Sequence, residues 1–232
     1  YGVMLQENAG MTVDFIDTWQ PNIDQVRKQG GVSVARDHEN RHIVPINIYT
    51  PEEYTGHPDV WIIFKKQMQL AAELKRDQAA GLFHEDQYVF SAMNGLGHFE
   101  KIAQYFPKEN IVCGTAMIAT RLDGPANVDF MGAKNTEDMH MARYNNAEPN
   151  SQVQAIFDDF TKAGLGPAFA PEWQGMCMSK VVFNAVTNTL CTMFEMQMGQ
   201  FIEYEGVRAM SEQLFNEAFD ACERAGIHLI ET

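Results

Sequence analysis

From residue 59 to residue 64 the chain reads Asp-Val-Trp-Ile-Ile-Phe, an almost unbroken apolar run. A run this short predicts a strand covered on both faces, as in a parallel sheet. Strands are also predicted over 88–92, 111–117 and 126–131, the last with Asn127 and Asp129 on its polar phase. Elsewhere apolar residues recur every three or four positions, which predicts helices over 22–29, 67–74, 98–105 and 149–163. Gly30-Gly31 and Gly164 stop the first and last of these. Residues 32–35 and 43–49 read as extended segments of a small excursion. Strand and helix thus alternate up to residue 163, the pattern of an α/β domain with a mostly parallel sheet. After Pro171 the helical period runs to Ala225, broken only near Gly199. The expected division is an α/β domain over 1–168 and an all-helical domain over 169–232.

The start of the chain adds chemistry to this outline. Residues 1–9 read as the later turns of a helix stopped by Gly10, and 12–17 as a β-branched strand ending in Asp17. Helix, glycine, strand and terminal acid form the second half of a Rossmann-type dinucleotide-binding unit. Its first strand and glycine-rich turn would precede Tyr1, so the sequence is expected to begin inside that unit. A carboxylate at this strand end accepts hydrogen bonds from the adenosine ribose and repels the extra phosphate of NADP. Asp17 therefore favours NAD, and no basic residue follows it before Arg27. The other reading of Asp17 is a cap for the helix expected from Asn22, five residues on, which is too far for a direct cap.

Composition narrows the class of partner. With 45% hydrophobic and 21% charged residues the chain is a folded globular protein. Its 17 basic and 31 acidic residues give a net charge of −14, which argues against nucleic acid and anionic membranes as partners. No stretch of eighteen apolar residues suggests a transmembrane helix. Cys113, Cys177, Cys191 and Cys222 are scattered without a C-x-x-C pair, which reads as reduced cysteines of a cytoplasmic protein. The seven histidines form no H-x-x-x-H pair on a helix and no cluster with cysteine, so no metal site is expected. Methionines near 176–198 read as core filling.

Lys180, Asn184 and Asn188 are spaced four apart in a segment otherwise rich in Val, Ala and Leu. A helix turns every 3.6 residues, so the three form one polar stripe. Two carboxamides cannot neutralise a lysine, but they can hold a polar ligand beside it. The other reading is a lysine that snorkels to water from a wet helix edge. Upstream lie Asn94-Gly-Leu-Gly, then Gly114-Thr-Ala-Met-Ile-Ala-Thr, then Gly124-Pro.

In order and separation these segments resemble the ketopantoate reductase (2-dehydropantoate 2-reductase) family. The resemblance implies a Rossmann-type domain followed by an all-α domain like the C-terminal part of 6-phosphogluconate dehydrogenase. It implies NAD(P)H-dependent reduction of a small 2-keto acid to a 2-hydroxy acid, in pantothenate biosynthesis. Lys180 would be the general acid, and Asn184 and Asn188 would orient the substrate. Asn94 would touch substrate and cofactor together, while Lys65 and Thr120 would contact the cofactor. Lys66 carries no role in the resemblance. Family members also continue beyond Thr232, so the helical domain is expected to be incomplete.

Two departures bear on the substrate. Met198 stands where the family often has a substrate-binding asparagine, and Met178-Ser179 replaces the residues that usually precede the lysine. Both favour a less polar keto acid, branched or aromatic, and so an NAD-dependent D-2-hydroxyacid dehydrogenase as the competing activity. A non-catalytic NAD-binding protein is the alternative from another class. A helical part rich in Met, Phe and Leu is compatible with a homodimer.

Overall fold

The structure, a computed structural model, describes residues 1–131, 139–201 and 203–230. The chain opens with α1 (Gly2–Ala9), closed by Gly10 in the left-handed conformation, and β1 (Asp14–Ile16). Next come α2 (Gln20–Gln29), β2 (Val32–Arg36), β3 (Glu39–Val44), β4 (Asn47–Tyr49), β5 (Val60–Ile62) and α3 (Gln67–Ala79). Then follow β6 (Tyr88–Ser91), α4 (His98–Ile102), β7 (Ile111–Ala116), β8 (Ala119–Leu122), β9 (Asn127–Met131) and β10 (Met139–Arg143). The chain finishes with α5 (Ser151–Lys162), β11 (Pro167–Phe169), α6 (Trp173–Met193) and α7 (Glu205–Arg224).

The main sheet has the order β11-β10-β7-β6-β5, and β1 and β4 form a separate parallel pair. β5, β6 and β7 are parallel neighbours, and β10 runs antiparallel to β7. Successive side chains of a strand point to opposite faces, and two cores follow from this. Val89, Ile111 and Cys113 face one core, with Leu70 and Leu74 of α3, Phe99 and Ile102 of α4, and Met176 and Cys177 of α6. Phe90 and Val112 face the other, with Leu5 of α1 and Val153, Ile156 and Phe160 of α5. The helical part thus begins as a layer of the α/β core, and α7 packs on α6 through Val186, Leu190 and Val207. No helix among the described residues is long and apolar enough to cross a membrane.

The excursion is larger than the hydrophobic pattern suggests. Residues 126–131 do not complete the main sheet: β9 pairs with β2 and β8 in a four-stranded sheet of order β3-β2-β9-β8. The reason lies in its alternation, since Val128 and Phe130 on one phase suit a sheet with one covered face. Asp129, expected on a polar phase, is fully buried, because both its oxygens accept the backbone N–H of His38 on the β2–β3 turn. β5 is likewise only partly buried, where its apolar run predicted full cover on both faces. The short strands β8, β10 and β11 lack the continuous apolar run that marks a strand in sequence.

Candidate active site at the carboxyl edge of the sheet

The residues after β5, β6 and β7 emerge at one edge of the parallel strands, the edge where open α/β sheets bind ligands. Asn94 lies three residues beyond β6 in a turn where Gly95 and Gly97 take φ of 90° and 85°. Those left-handed values suit glycine, and the two glycines leave the turn's backbone uncovered by side chains. The Asn94 side chain is exposed. The backbone carbonyl of Asn94 accepts from Gln67 Nε2 at 3.4 Å, and so does that of Leu96 at 3.3 Å. Gln67 Nε2 also lies 3.0 Å from Nδ1 of His98, which is fully buried. Burial pushes the His98 imidazole down to about 4, so it is neutral at pH 7, and this network assigns the proton to Nε2. Gln67 thus knits the start of α3 to the asparagine turn, a link the sequence hides across some thirty positions.

Lys65 and Lys66 follow β5 and part company. The Lys65 ammonium pairs with Asp77 at 2.7 Å and Glu73 at 3.3 Å, both on α3. It is therefore committed to anchoring that helix, and burial raises Asp77 despite the lysine beside it. Lys66 caps the start of α3, is exposed, and makes no ion pair among the described residues.

Across this edge runs α6, seated on the sheet core by Met176 and Cys177, while its buried Val186 and Leu190 pack against α7. Lys180 is half-buried, with Nζ 2.9 Å from Sδ of Met117, just beyond β7, and 5.5 Å from the centre of the Phe183 ring. Burial lowers its pKa from the ordinary lysine value. Asn184 is half-buried and Asn188 exposed, so the stripe runs from cover toward water. At about 1.5 Å per residue the two asparagines stand roughly 6 and 12 Å along the axis from Lys180. Met193 is about 20 Å along. Met198 lies on a 3-10 turn beyond it, half-exposed, at the far end of the helix.

Thr120 is exposed on β8, opposite Phe130, in the smaller sheet. Asp17 closes β1 and is half-buried. It is engaged locally: Oδ1 accepts the N–H groups of Thr18 and Trp19, and Oδ2 accepts Asn22 Nδ2 at 2.7 Å. Helix α2 begins at Gln20, not Asn22, so Asp17 does organise its entry. None of the predicted site residues lines the cleft of about 540 Å³ between α2 and β4. Away from both, His38, Asp123 and Asp129 bring ligand atoms within 4.8 Å of one another. Arg121 and Arg41 hold Asp123 at 2.5 and 3.6 Å, which balances that cluster with guanidinium charge. Spacing could not reveal it, since the three residues lie up to 91 positions apart.

Residues 1–143 match the family model described as ketopantoate reductase PanE/ApbA, and residues 172–232 match the model of its C-terminal part. A 2-dehydropantoate 2-reductase of Streptococcus pyogenes is 28% identical over 223 residues, 94% of this chain and 68% of the relative. One of Lactococcus lactis is 23% identical over 94% of this chain and 67% of the relative. A solved D-mandelate dehydrogenase, in a ternary complex with NADH and anilino(oxo)acetate, superimposes with a TM-score of 0.83 at 25% identity. That match covers 98% of this chain and 71% of the other. The chain thus belongs to the ketopantoate reductase family, NAD(P)-dependent oxidoreductases that act on CH–OH groups.

Proposed function

We propose that this protein reduces a 2-keto acid to the 2-hydroxy acid, with 2-dehydropantoate as the leading substrate. The observation that carries this reading is Lys180: a half-buried ammonium without a carboxylate partner among the described residues, facing the carboxyl edge of the sheet. Negative charge builds on the keto oxygen as C2 is reduced, and a nearby ammonium both stabilises it and donates the proton. Burial already weakens this lysine's hold on its proton. Asn184, one turn further along, is within the span of a small keto acid bound at Lys180, and Asn188 meets its far end. We assign Asn94, exposed in the glycine turn beyond β6, to contact with both substrate and cofactor. Met198, at the far end of α6, is assigned no contact with the reacting carbon.

The residues fit a dinucleotide at the same edge. Phe64, Met68 and Leu96 are large apolar side chains left exposed around the glycine turn, Met68 at 96%. They offer cover for flat rings, and Lys66, without an ion-pair partner among the described residues, offers its charge for phosphate. We assign the phosphate contact to Lys66 and an anchoring role to Lys65, with Asp17 at the ribose and Thr120 as an outer contact. When bound, NAD(P)H supplies the hydride. The exposed apolar residues Met193, Phe194, Met210 and Phe219 on the helical part lead us to a second copy of the chain as its partner.

A second reading, a D-2-hydroxyacid dehydrogenase for branched or aromatic keto acids, is favoured by the apolar Met117 beside the ammonium. Cofactor oxidation measured with 2-dehydropantoate, 2-ketoisocaproate and phenylglyoxylate decides between the two, and no oxidation with any of them would indicate a binding protein. Lys180→Ala should cut turnover about a hundredfold or more while leaving cofactor affinity nearly unchanged. A fully active Lys180→Ala protein would remove the mechanism.

A further inference from the structure

The partner of the Lys180 ammonium is a sulfur. Its Nζ lies 2.9 Å from Met117 Sδ, and no carboxylate or carbonyl among the described residues takes its place. Met117 stands where the chain leaves β7 and turns into β8, and it is 45% exposed. It is therefore not core filling, and its side chain lies over the edge where the substrate is expected. A thioether is a weak hydrogen-bond acceptor. It can hold an ammonium in one orientation without binding it tightly. A keto oxygen gathering negative charge is a far stronger acceptor, and charge-assisted bonds to oxygen are about twice as strong as neutral ones.

We infer, on the reading that Lys180 protonates the keto acid, that Met117 is its positioning residue: the thioether parks the ammonium beyond β7 and yields it to the substrate oxygen. An oxygen-bearing side chain there would compete with the substrate for the same protons. A purely hydrocarbon one would leave the ammonium without an acceptor. The elements packed against α6 bring Cys113 on β7, His140 and Arg143 on β10, and the charged residues of α7. Burial alone, and none of these groups, accounts for the lowered lysine.

Two substitutions in the full chain test this. Met117→Leu conserves volume and removes the acceptor, while Met117→Gln supplies an oxygen. The Lys180 pKa is read directly by NMR titration of Lys labelled at Cε, with the resonance assigned by its absence in Lys180→Ala. Met117→Leu should lower it by several tenths of a unit, and Met117→Gln should raise it by up to about one unit. In the pH profile of kcat/KM for the preferred keto acid, the alkaline limb should move in the same directions. KM should rise severalfold in Met117→Gln alone. Unchanged titration and KM in both folded variants would overturn the inference. If Lys180→Ala is inactive in the same assays, the catalytic reading survives that failure. If Lys180→Ala is active, both fall.

Discussion

His98 shows how one buried side chain couples the candidate site to pH. It is fully buried behind the asparagine turn, with Gln67 on Nδ1 and no partner for Nε2 among the described residues. Its folded pKa of about 4 lies below the 6.5 of a free imidazole, so the unfolded chain takes up the proton first as pH falls. The stability held by the neutral ring is complete above about 6.5 and is lost between 6.5 and 4. Over that window the loss should be about 3 kcal/mol, at roughly 1.4 kcal/mol per unit. Urea unfolding at pH 7 and pH 4.5 measures it, and His98→Phe should flatten the difference. An equally steep acid limb in His98→Phe would assign the effect to other groups. At this scale the sequence was partly legible. The Lys180, Asn184 and Asn188 stripe follows from periodicity alone, since helical neighbours are fixed by spacing. Gln67, Met117 and the engagement of Lys65 were not legible, because each depends on a partner brought close only by the folded sheet or by α3.

Helix α6 carries the candidate acid, and its own placement rests on a close approach. Gly175 lies one turn and a half before Lys180, and a Cβ built there would meet the carbonyl oxygen of His228 at 1.8 Å. Ser179 fixes the same segment by accepting the Ile230 N–H at 2.9 Å. Gly175→Ala must push the two apart, and overpacking of this kind costs about 1–3 kcal/mol. A fall of that size in thermal or urea stability is expected, with kcat lowered because Lys180 moves with its helix. Wild-type stability in Gly175→Ala would mean that the segment after α7 is not seated on α6 as described. Among the elements, the apolar run of β5 and the turn glycines beyond β6 were visible in the sequence, and so was the long helix α6. Strands β8 and β10 were not, because β8 is exposed along its whole length and the buried Met139, Met141 and Ala142 of β10 are interspersed with His140 and Arg143. β11 ends at Phe169 and belongs to the main sheet, so we place the domain boundary between it and α6.

On the scale of the molecule, the two sheet segments set the ends of the cofactor site we propose. Asp17 closes β1 in the β1–β4 pair, while Lys66 and Asn94 follow β5 and β6 in the main sheet. A dinucleotide laid across both would put its adenosine ribose at Asp17 and its nicotinamide near Lys180. On that proposal the carboxylate would do two jobs, since its oxygens accept Thr18, Trp19 and Asn22. Oδ1 already accepts two N–H groups, but Oδ2 accepts only Asn22 and can take one more hydrogen bond, so the local role leaves room for a ribose hydroxyl. A 2′-phosphate would instead bring a charge near −2 against an anion. The expected result is a higher kcat/KM with NADH than with NADPH. Asp17→Asn removes the charge, and its amide keeps one oxygen for the turn. It should raise the NADPH-to-NADH ratio on the order of tenfold, the effect of about 1.4 kcal/mol of lost repulsion. Asp17→Ser, with a basic residue placed nearby, should carry the preference further. The turn itself is checked by thermal stability, which Asp17→Asn should lower only slightly if Asn22 keeps its partner. A wild-type protein that uses NADPH as well as NADH would confine Asp17 to the entry of α2, and the ribose end of the site would then have to be sought elsewhere.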